Sequence, residues 1–377
     1  MPEAVGKLGR GVSVVIPSWD GMGLLKRFLP SVIAAARYYI EQHEAPVEII
    51  IVNDASSDAT VEYLLGEGFK TGPQASQPGE EDGRTLGPAL RLISNERNIG
   101  FGKSVNRGFE AASYPLVFLL NNDVEVSRDC IGPLVANFAD PAVFAAHCRV
   151  FEFENGAEVG TGKIAGFSRG FIRVHRSYVP KRSVESYAKE SSSMKPLISA
   201  FATGGSAMFD RQKFLDIGAF DELLSPMYWE DVEVSYRAWK RGYVVMYEPR
   251  SVVHHRISST MRRANKRKLW RLKQRNRLIY HWVNLHDPGL LVAHLLWVAV
   301  LALTAPLRLQ PGFILALAAA LKRAAAVRRR RREEMLAAKR SDRDVFALFE
   351  SFSARDDILV YDDRGELERL RQQPGAD

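Results

Sequence analysis

The sequence predicts a doubly wound, mostly parallel α/β sheet, and three observations predict it. Short, almost unbroken apolar runs recur at Val12–Ile16, Glu48–Val52, Leu90–Ile93 and Leu116–Leu120. Segments with helical spacing of apolar residues lie between them. Polar and acidic residues gather where the runs stop, at Asp54, at Asp123 and after Val252–Val253. Strands covered on both faces read as continuous apolar runs, and strands alternating with helices build parallel units. Carboxylates and imidazoles at strand tips are what such a sheet uses to hold a charged ligand at one edge.

The elements follow in order. Val12–Ile16 (VSVVI) is a β-branched run closed by Pro17, and Gly23–Glu41 carries Leu24, Leu25, Phe28, Leu29, Val32 and Ile33 at helical spacing. After Glu48–Val52, Ser57 or Asp58 is placed to cap a helix containing Val61, Leu64 and Leu65. Residues 66–88 are rich in Gly, Pro, Gln and acid without periodicity, which predicts a mobile surface loop. A strand at Leu90–Ile93, a helix over Ser104–Ala112 and a strand at Leu116–Leu120 come next. Phe151–Pro196 predicts loops and short antiparallel strands. Order returns at Ser199–Phe209, and a helix from Arg211, a helix over Glu230–Arg241, and strands Val244–Tyr247 and Val252–His255 complete a catalytic domain over 1–286.

Beyond His286 the composition changes. Gly289–Leu307 is nineteen residues interrupted only by His294 and Thr304, just the length that spans a bilayer. A single span would put the Arg328–Arg332 cluster outside the cytoplasm, against the positive-inside rule. Residues 287–340 are therefore expected to form apolar and basic helices lying in a membrane interface, and 341–377 a charged, exposed tail. No signal peptide is visible, which predicts a cytoplasmic protein held peripherally on the inner face of the cell membrane.

Net charge is +8, and the excess is local: ten Lys or Arg and no acid between Arg256 and Arg277, seven more between Lys322 and Arg332. Such blocks point to phosphates, whether of nucleic acid, anionic lipid or a diphosphate ligand. Two cysteines, Cys130 and Cys148, exclude a disulfide framework and a cysteine zinc site.

Several motifs carry chemistry. In IIVNDASSDAT, Asp54 at a strand end can accept the N3–H of a pyrimidine ring, although these are equally ordinary turn and cap residues. In NIGFGKSVN, Asn98, Gly100 and Lys103 precede a helix whose N-terminus favours an anion, without the glycine spacing of a Walker A loop. Asn121, Asn122 and Asp123 end the most apolar strand. A carboxylate there can ligate Mg²⁺ or Mn²⁺ bridging two phosphate oxygens, with Glu125 a second ligand or simply turned outward. Gly204 and Gly205 in ATGGSA allow close approach of a ligand or a strand. Trp229, Glu230 and Asp231 open a helix, where acids also suit the dipole; one carboxylate can deprotonate an acceptor hydroxyl, and Trp229 offers a flat face to a sugar. Arg237, about two turns on, is placed to orient the acid pair. His254 and His255 are candidate metal ligands, and Arg256 with Ser258–Thr260 can hold a diphosphate.

Together, VSVVIPSWDG, IIVNDASSDAT, NERNIGFGKSVNRGF, FLLNNDVEV, ATGGSAMF, YWEDVEVSYRAWKRGY and VVHHRISST resemble glycosyltransferase family 2, over about Gly11–Asn284. RNRLIYHWVN with the apolar-basic tail is similar to its rhamnosyltransferase-type members. The resemblance implies the glycosyltransferase A fold, followed here by C-terminal amphipathic and apolar helices, and an inverting enzyme. It places Pro17 and Asp54 at the base, Asp123 as metal acid although Asn121 replaces the first acid of Asp-x-Asp, Asp231 as catalytic base beside Glu230, and His255 rather than His254 at the metal or diphosphate. The implied partners are a UDP- or dTDP-sugar, a lipid-linked or cell-surface glycan acceptor and an anionic membrane surface. A processive polysaccharide synthase would want several spans and Gln-x-x-Arg-Trp, which Arg237-Ala238-Trp239 does not match. A non-catalytic nucleic-acid-binding protein would use Arg256–Arg277 but leave the acidic strand ends unexplained, so no nucleic-acid partner is expected.

Overall fold

The computed structural model describes residues 10–72, 80–81, 84–85, 87–181, 194–256, 265–307, 310–362 and 367. β1 (Val12–Ser18) leads into α1 (Met22–His43), β2 (Val47–Asn53) into α2 (Thr60–Gly66), and β3 (Ala89–Ser94) into α3 (Phe101–Ala111). β4 (Leu116–Leu120), β5 (Val124–Val126), α4 (Ile131–Ala136), β6 (Val143–Glu152), β7 (Glu158–Gly160), β8 (Gly162–Ser168) and β9 (Phe171–Pro180) follow. Then come β10 (Leu197–Ile198), β11 (Ser206–Asp210), α5 (Arg211–Asp216), α6 (Glu230–Lys240) and β12 (Val244–His255). The last elements are α7 (Lys266–Asn284), α8 (Pro288–Thr304), α9 (Gly312–Leu321), α10 (Ala324–Ala337), α11 (Asp342–Ser353) and β13 (Ile358–Tyr361).

The main sheet runs β10–β12–β6–β11–β4–β1–β2–β3. β1 pairs in parallel with β2 and β4, and β2 with β3, whereas β11 is antiparallel between β4 and β6. Every residue of β1, β2 and β4 is buried, the state their unbroken apolar runs require. One face is covered by α1 through Leu25, Phe28, Leu29, Val32 and Ala36, a stripe at i, i+3, i+4. Because β11 is antiparallel to β4, the start of β11 lies beside the end of β4, as Ser206 opposite Leu120 shows. The C-terminal ends of the parallel strands and the Gly204–Gly205 turn thus share one sheet edge.

Two expectations, the cap of the helix after β2 and the exposure of the segment after 341, are corrected. The helix after β2 is not capped by Ser57 or Asp58: its cap position is Ala59, and Asp58 instead accepts from Thr60 N at 3.1 Å and from Met22 N at 3.1 Å, tying the starts of α1 and α2 together. Part of the 66–88 loop lies outside the described residues. Its near end is anchored, with Phe69 buried and Lys70 bonded to Leu90 and Leu92 beside β3. The segment after 341 is no exposed tail over its described part. Val345 and Phe349 of α11 are fully buried in the main core, β13 pairs with β9, and the buried Asp342 forms a 2.6 Å ion pair with Lys240 of α6.

α8 has 17 residues, and among the described residues no helix is long and apolar enough to cross a membrane. Its inward side buries His294 and Val298. Its outward side shows Val292, Leu295, Leu296, Val300 and Leu303, continued on α9 by Ile314, Leu315 and Leu321. In α10, Arg328, Arg329 and Arg332 face solvent, while Arg330 pairs with Asp221 and Glu334 and Arg331 donates to the Trp282 and Leu285 carbonyls. Two arginines of that run therefore clamp the helices to the catalytic domain.

Candidate active site

Asp123 follows β4 and is almost buried, and His255 ends β12. β12 pairs with β5, which puts His255 opposite Val124 and brings its Nε2 within 3.0 Å of Asp123 Oδ1. The Arg256 N–H donates to the Asp123 carbonyl at 3.0 Å, locking the two chain segments together. His254 does not join them. Successive strand residues point to opposite faces, and its ring stacks on Phe151 at 5.7 Å. Glu125 stands opposite His254 in the ladder and so shares the face away from Asp123. Among the described residues no group of three His, Cys, Asp or Glu gathers as a metal cage. A carboxylate and an imidazole fit a divalent ion whose other positions are taken by phosphate oxygens and water.

Asn121 and Asn122 fix the neighbouring backbone. The Asn122 amide donates to Ser18 Oγ at 2.9 Å, joining the ends of β4 and β1. Asn121 N donates to the Gly205 carbonyl at 3.0 Å, and a Cβ at Gly205 would lie 2.3 Å from the Asn121 amide nitrogen. Glycine there lets the β11 turn lie against this strand end without displacing the Asn121 amide. Gly204 N then donates to Asp231 Oδ2 at 3.2 Å, while Asp231 Oδ1 accepts from Val232 N at 2.8 Å. The Asn121–Gly205 contact thus joins the strand end that precedes Asp123 to the turn whose Gly204 N–H donates to Asp231.

Asp231 and Glu230 form the first turn of α6, after Tyr228 and Trp229, both left-handed at φ 75° and 77°. Bulky residues at positive φ persist only where the surroundings enforce it. The enforcing group is Asn276 of α7, whose amide donates to the carbonyls of Leu224, Met227 and Tyr228, and Trp229 stacks on Tyr280 at 5.4 Å. Burial, and next the Asp231 charge, push the Glu230 carboxyl up to about 8. Asp231 is also raised, by burial, against the pull of the Gly204 and Val232 N–H groups. Glu230 Oε2 is buried without a partner among the described residues.

The remaining candidates fall less simply. Pro17 is buried in β1 beside Val52. Asp54 accepts from Asn95 Nδ2 at 2.8 Å and from the N–H groups of Ile99 and Gly100 at 2.9 Å, so a pyrimidine N3–H would be a fourth donor. The anion at the N-terminus of α3 is therefore Asp54 itself. Phe101 N is also engaged, by Pro226, and Gly100 has φ 90°; the phosphate cradle read from this loop is not formed there. Asn98 is exposed, and Lys103 pairs with Glu222 at 2.8 Å. Arg237 does not reach the acids: its guanidinium is fully buried on Glu233 and the Ile217 and Ala219 carbonyls. Arg256 lies 3.8 Å from Glu154, and Ser258 and Thr260 lie outside the described residues. The residue that sequence reasoning missed is Asn276, which holds the turn before the acid pair.

The mixed, mainly parallel sheet with polar residues at its strand ends has the glycosyltransferase A fold. GalNAc-T7, solved with UDP, GalNAc and Mn²⁺, matches with a TM-score of 0.52 at 20% identity, over 74% of this chain and 49% of that one. Residues 1–349 of Staphylococcus aureus TarS, solved with UDP-GlcNAc, match with a TM-score of 0.50 at 15% identity, over 96% and 99%. At these identities the likeness is one of fold. The chain belongs to glycosyl transferase family 2, whose model matches residues 13–218, while that of glycosyl transferase family group 2 matches 116–327. Poly-beta-1,6-N-acetyl-D-glucosamine synthase of Staphylococcus aureus (strain COL) is 25% identical over 215 residues, 57% of this chain and 44% of that protein. The Staphylococcus epidermidis synthase matches to the same extent. The chain spans less than half the length of these curated relatives.

Proposed function

We propose that the protein is an inverting glycosyltransferase that moves a sugar from a UDP- or dTDP-sugar to a hydroxyl of a lipid-linked or cell-surface glycan. The observation that supports this is the Asn121–Gly205 contact, which joins the strand end before the Asp123–His255 pair to the turn whose Gly204 donates to Asp231. Asp54 and Pro17 line the base. Asp231 takes the proton of the acceptor hydroxyl as its oxygen attacks the anomeric carbon from the face opposite the nucleotide. The bond from that carbon to the diphosphate oxygen breaks, configuration inverts, and the nucleoside diphosphate leaves. Asp123 and His255 would hold Mg²⁺ or Mn²⁺, which when bound offsets charge on the departing diphosphate. Glu230, kept protonated by burial and by its neighbour, leaves Asp231 as the charged member of the pair.

The test is nucleotide release from a panel of UDP-, dTDP- and GDP-sugars, with nucleotide binding read by calorimetry. Release from one donor, abolished by EDTA and lowered by about tenfold or more in Asp123→Ala and His255→Ala, is the expected result. Failure of every nucleotide to bind would end the proposal.

The acceptor class follows from the apolar face of α8 and α9. Leu296 is 64% and Leu303 78% exposed, and the exposed Lys322, Arg328, Arg329 and Arg332 lie next in the chain. Apolar surface bordered by cations suits an anionic lipid surface, into which the helices would dip without crossing. Flotation with phosphatidylglycerol vesicles is expected to capture the wild type. Leu296→Ser and Leu303→Ser should each weaken capture by about tenfold. Equal capture of variants and wild type would remove the membrane from this reading.

A further inference from the structure

The five consecutive carbonyls of Leu224 to Tyr228, just before the acid pair, are each taken by a donor from another element. The fully buried Asn276 of α7 donates to Leu224 O at 2.5 Å and to Met227 O and Tyr228 O at 2.9 Å. Arg275 donates to Ser225 O at 2.5 Å, and the Phe101 N–H of α3 to Pro226 O at 3.0 Å. Turn carbonyls at a surface can bond to water instead, so this many protein donors specify one shape of turn. The Asn276 amide is itself fixed, because its Oδ1 accepts from Arg275 Nε at 2.8 Å. A guanidinium only donates and a carbonyl only accepts, so that bond decides which end of the amide faces the turn.

The hold has a firm base and two ends that matter. Tyr280, one helical turn beyond Asn276 on the same face of α7, grips Trp229 by stacking at 5.4 Å. Behind it, Leu278 and Val283 pack in one apolar cluster with Val298 of α8, Phe313 of α9 and Val327 of α10. At one end of the turn, the Pro226 bond reaches Phe101, next to the Gly100 whose N–H donates to Asp54 at 2.9 Å. At the other, Tyr228 and Trp229 at φ 75° and 77° aim the first turn of α6, where Asp231 Oδ2 meets Gly204 N at 3.2 Å. Bulky residues released from positive φ relax to ordinary backbone angles, and the start of the helix swings with them.

We infer that Asn276, oriented by Arg275, is a positioning residue for the transfer reaction, setting the Asp231 carboxylate through the Tyr228–Trp229 turn. The inference rests on the transferase reading, from which it takes Asp231 as base.

The experiment compares the full chain as wild type, Asn276→Leu, Asp231→Asn and the double variant. Asn137→Leu is the control, since that buried amide donates instead to the Pro133 carbonyl and to Glu248, both at 2.9 Å. Calorimetry with UDP, dTDP and GDP reports folding, and nucleotide release from the fastest donor sugar, with water as acceptor, reports rate. Asn276→Leu should lower kcat by about 10²-fold with donor KM and nucleotide affinity within about threefold, the signature of a displaced base. Asn137→Leu should lose stability and keep its rate. In the Asp231→Asn background Asn276→Leu should cost little more, because the two residues act as a unit. Hydrogen exchange in the 224–232 peptide should rise in Asn276→Leu and stay unchanged in Asn137→Leu. Arg275→Lys, at a partly buried position, loses the Nε–H that orients the amide; it should show the same pattern at smaller size and decides the matter if Asn276→Leu fails to bind nucleotide. Full rate in these variants, a loss that multiplies with that of Asp231→Asn, or unchanged exchange at 224–232 overturns the positioning role and leaves the transferase reading standing. Absence of nucleotide binding by the wild type overturns the transferase reading, and the positioning role falls with it.

Discussion

Asp231→Asn is expected to lower sugar transfer by about 10²- to 10⁴-fold while nucleotide affinity stays within twofold, the range by which a positioned acid or base contributes. The replacement keeps the shape and an oxygen to accept from Gly204 N, now bonded to Asp231 Oδ2 at 3.2 Å. It removes only the charge that collects the proton. Measurement of acceptor-dependent transfer beside nucleotide calorimetry separates chemistry from binding; a variant retaining a third or more of the rate would move the base elsewhere. Glu230 supplies a second readout. A carboxyl raised from 4.5 to about 8 holds its proton more tightly in the folded chain. Its contribution to stability is complete below pH 4.5 and is lost as pH rises toward about 8. Glu230→Gln cannot ionise, so its melting temperature should decline less than the wild type's across that window. Parallel decline would refute the raised value.

Arg237→Leu is expected to cost on the order of 3–5 kcal/mol, because it strands the buried Glu233 carboxylate. Arg237 Nη2 lies 2.6 Å from Glu233 Oε2, and both side chains are almost fully enclosed. For a chain of this size that loss lowers the melting temperature by roughly 4–6 °C. The double variant Arg237→Leu with Glu233→Met should regain much of it, since an apolar pair of similar volume carries no desolvation cost. A single variant that melts like the wild type but transfers slowly would return Arg237 to the role the sequence suggested, orienting the acids.

That misreading shows where legibility ended. The parallel strands could be read because burial on both faces leaves them almost wholly apolar, and a polar residue at the tip then stands out, as Asp123 did. Arg237 was misplaced because closeness along a helix was taken for closeness in space. Six residues at about 100° each turn the side chain away from Asp231, whereas Glu233 at i−4 faces it. The 341–353 helix was hidden by its charge, although Val345, Phe349 and Phe352 repeat at helical spacing and Ser341 with Asp344 forms a capping box. His254 and His255 could be separated by strand alternation, which sided with His255. Asn276 had no signal at all: its three carbonyl partners lie about fifty residues away in sequence.

The Lys240–Asp342 pair, with Asp342 also accepting from the Tyr236 hydroxyl, links the helix bearing Asp231 to a segment made a hundred residues later. On the ribosome, a chain extended just past Lys240 holds every proposed catalytic group except His255, yet Lys240 and Tyr236 still lack the anion that fixes them. The active helix settles only once translation has passed the apolar α8 and α9 and delivered α11. Synthesis order therefore delivers the exposed apolar face of α8 and α9 before the anion that fixes the helix bearing Asp231.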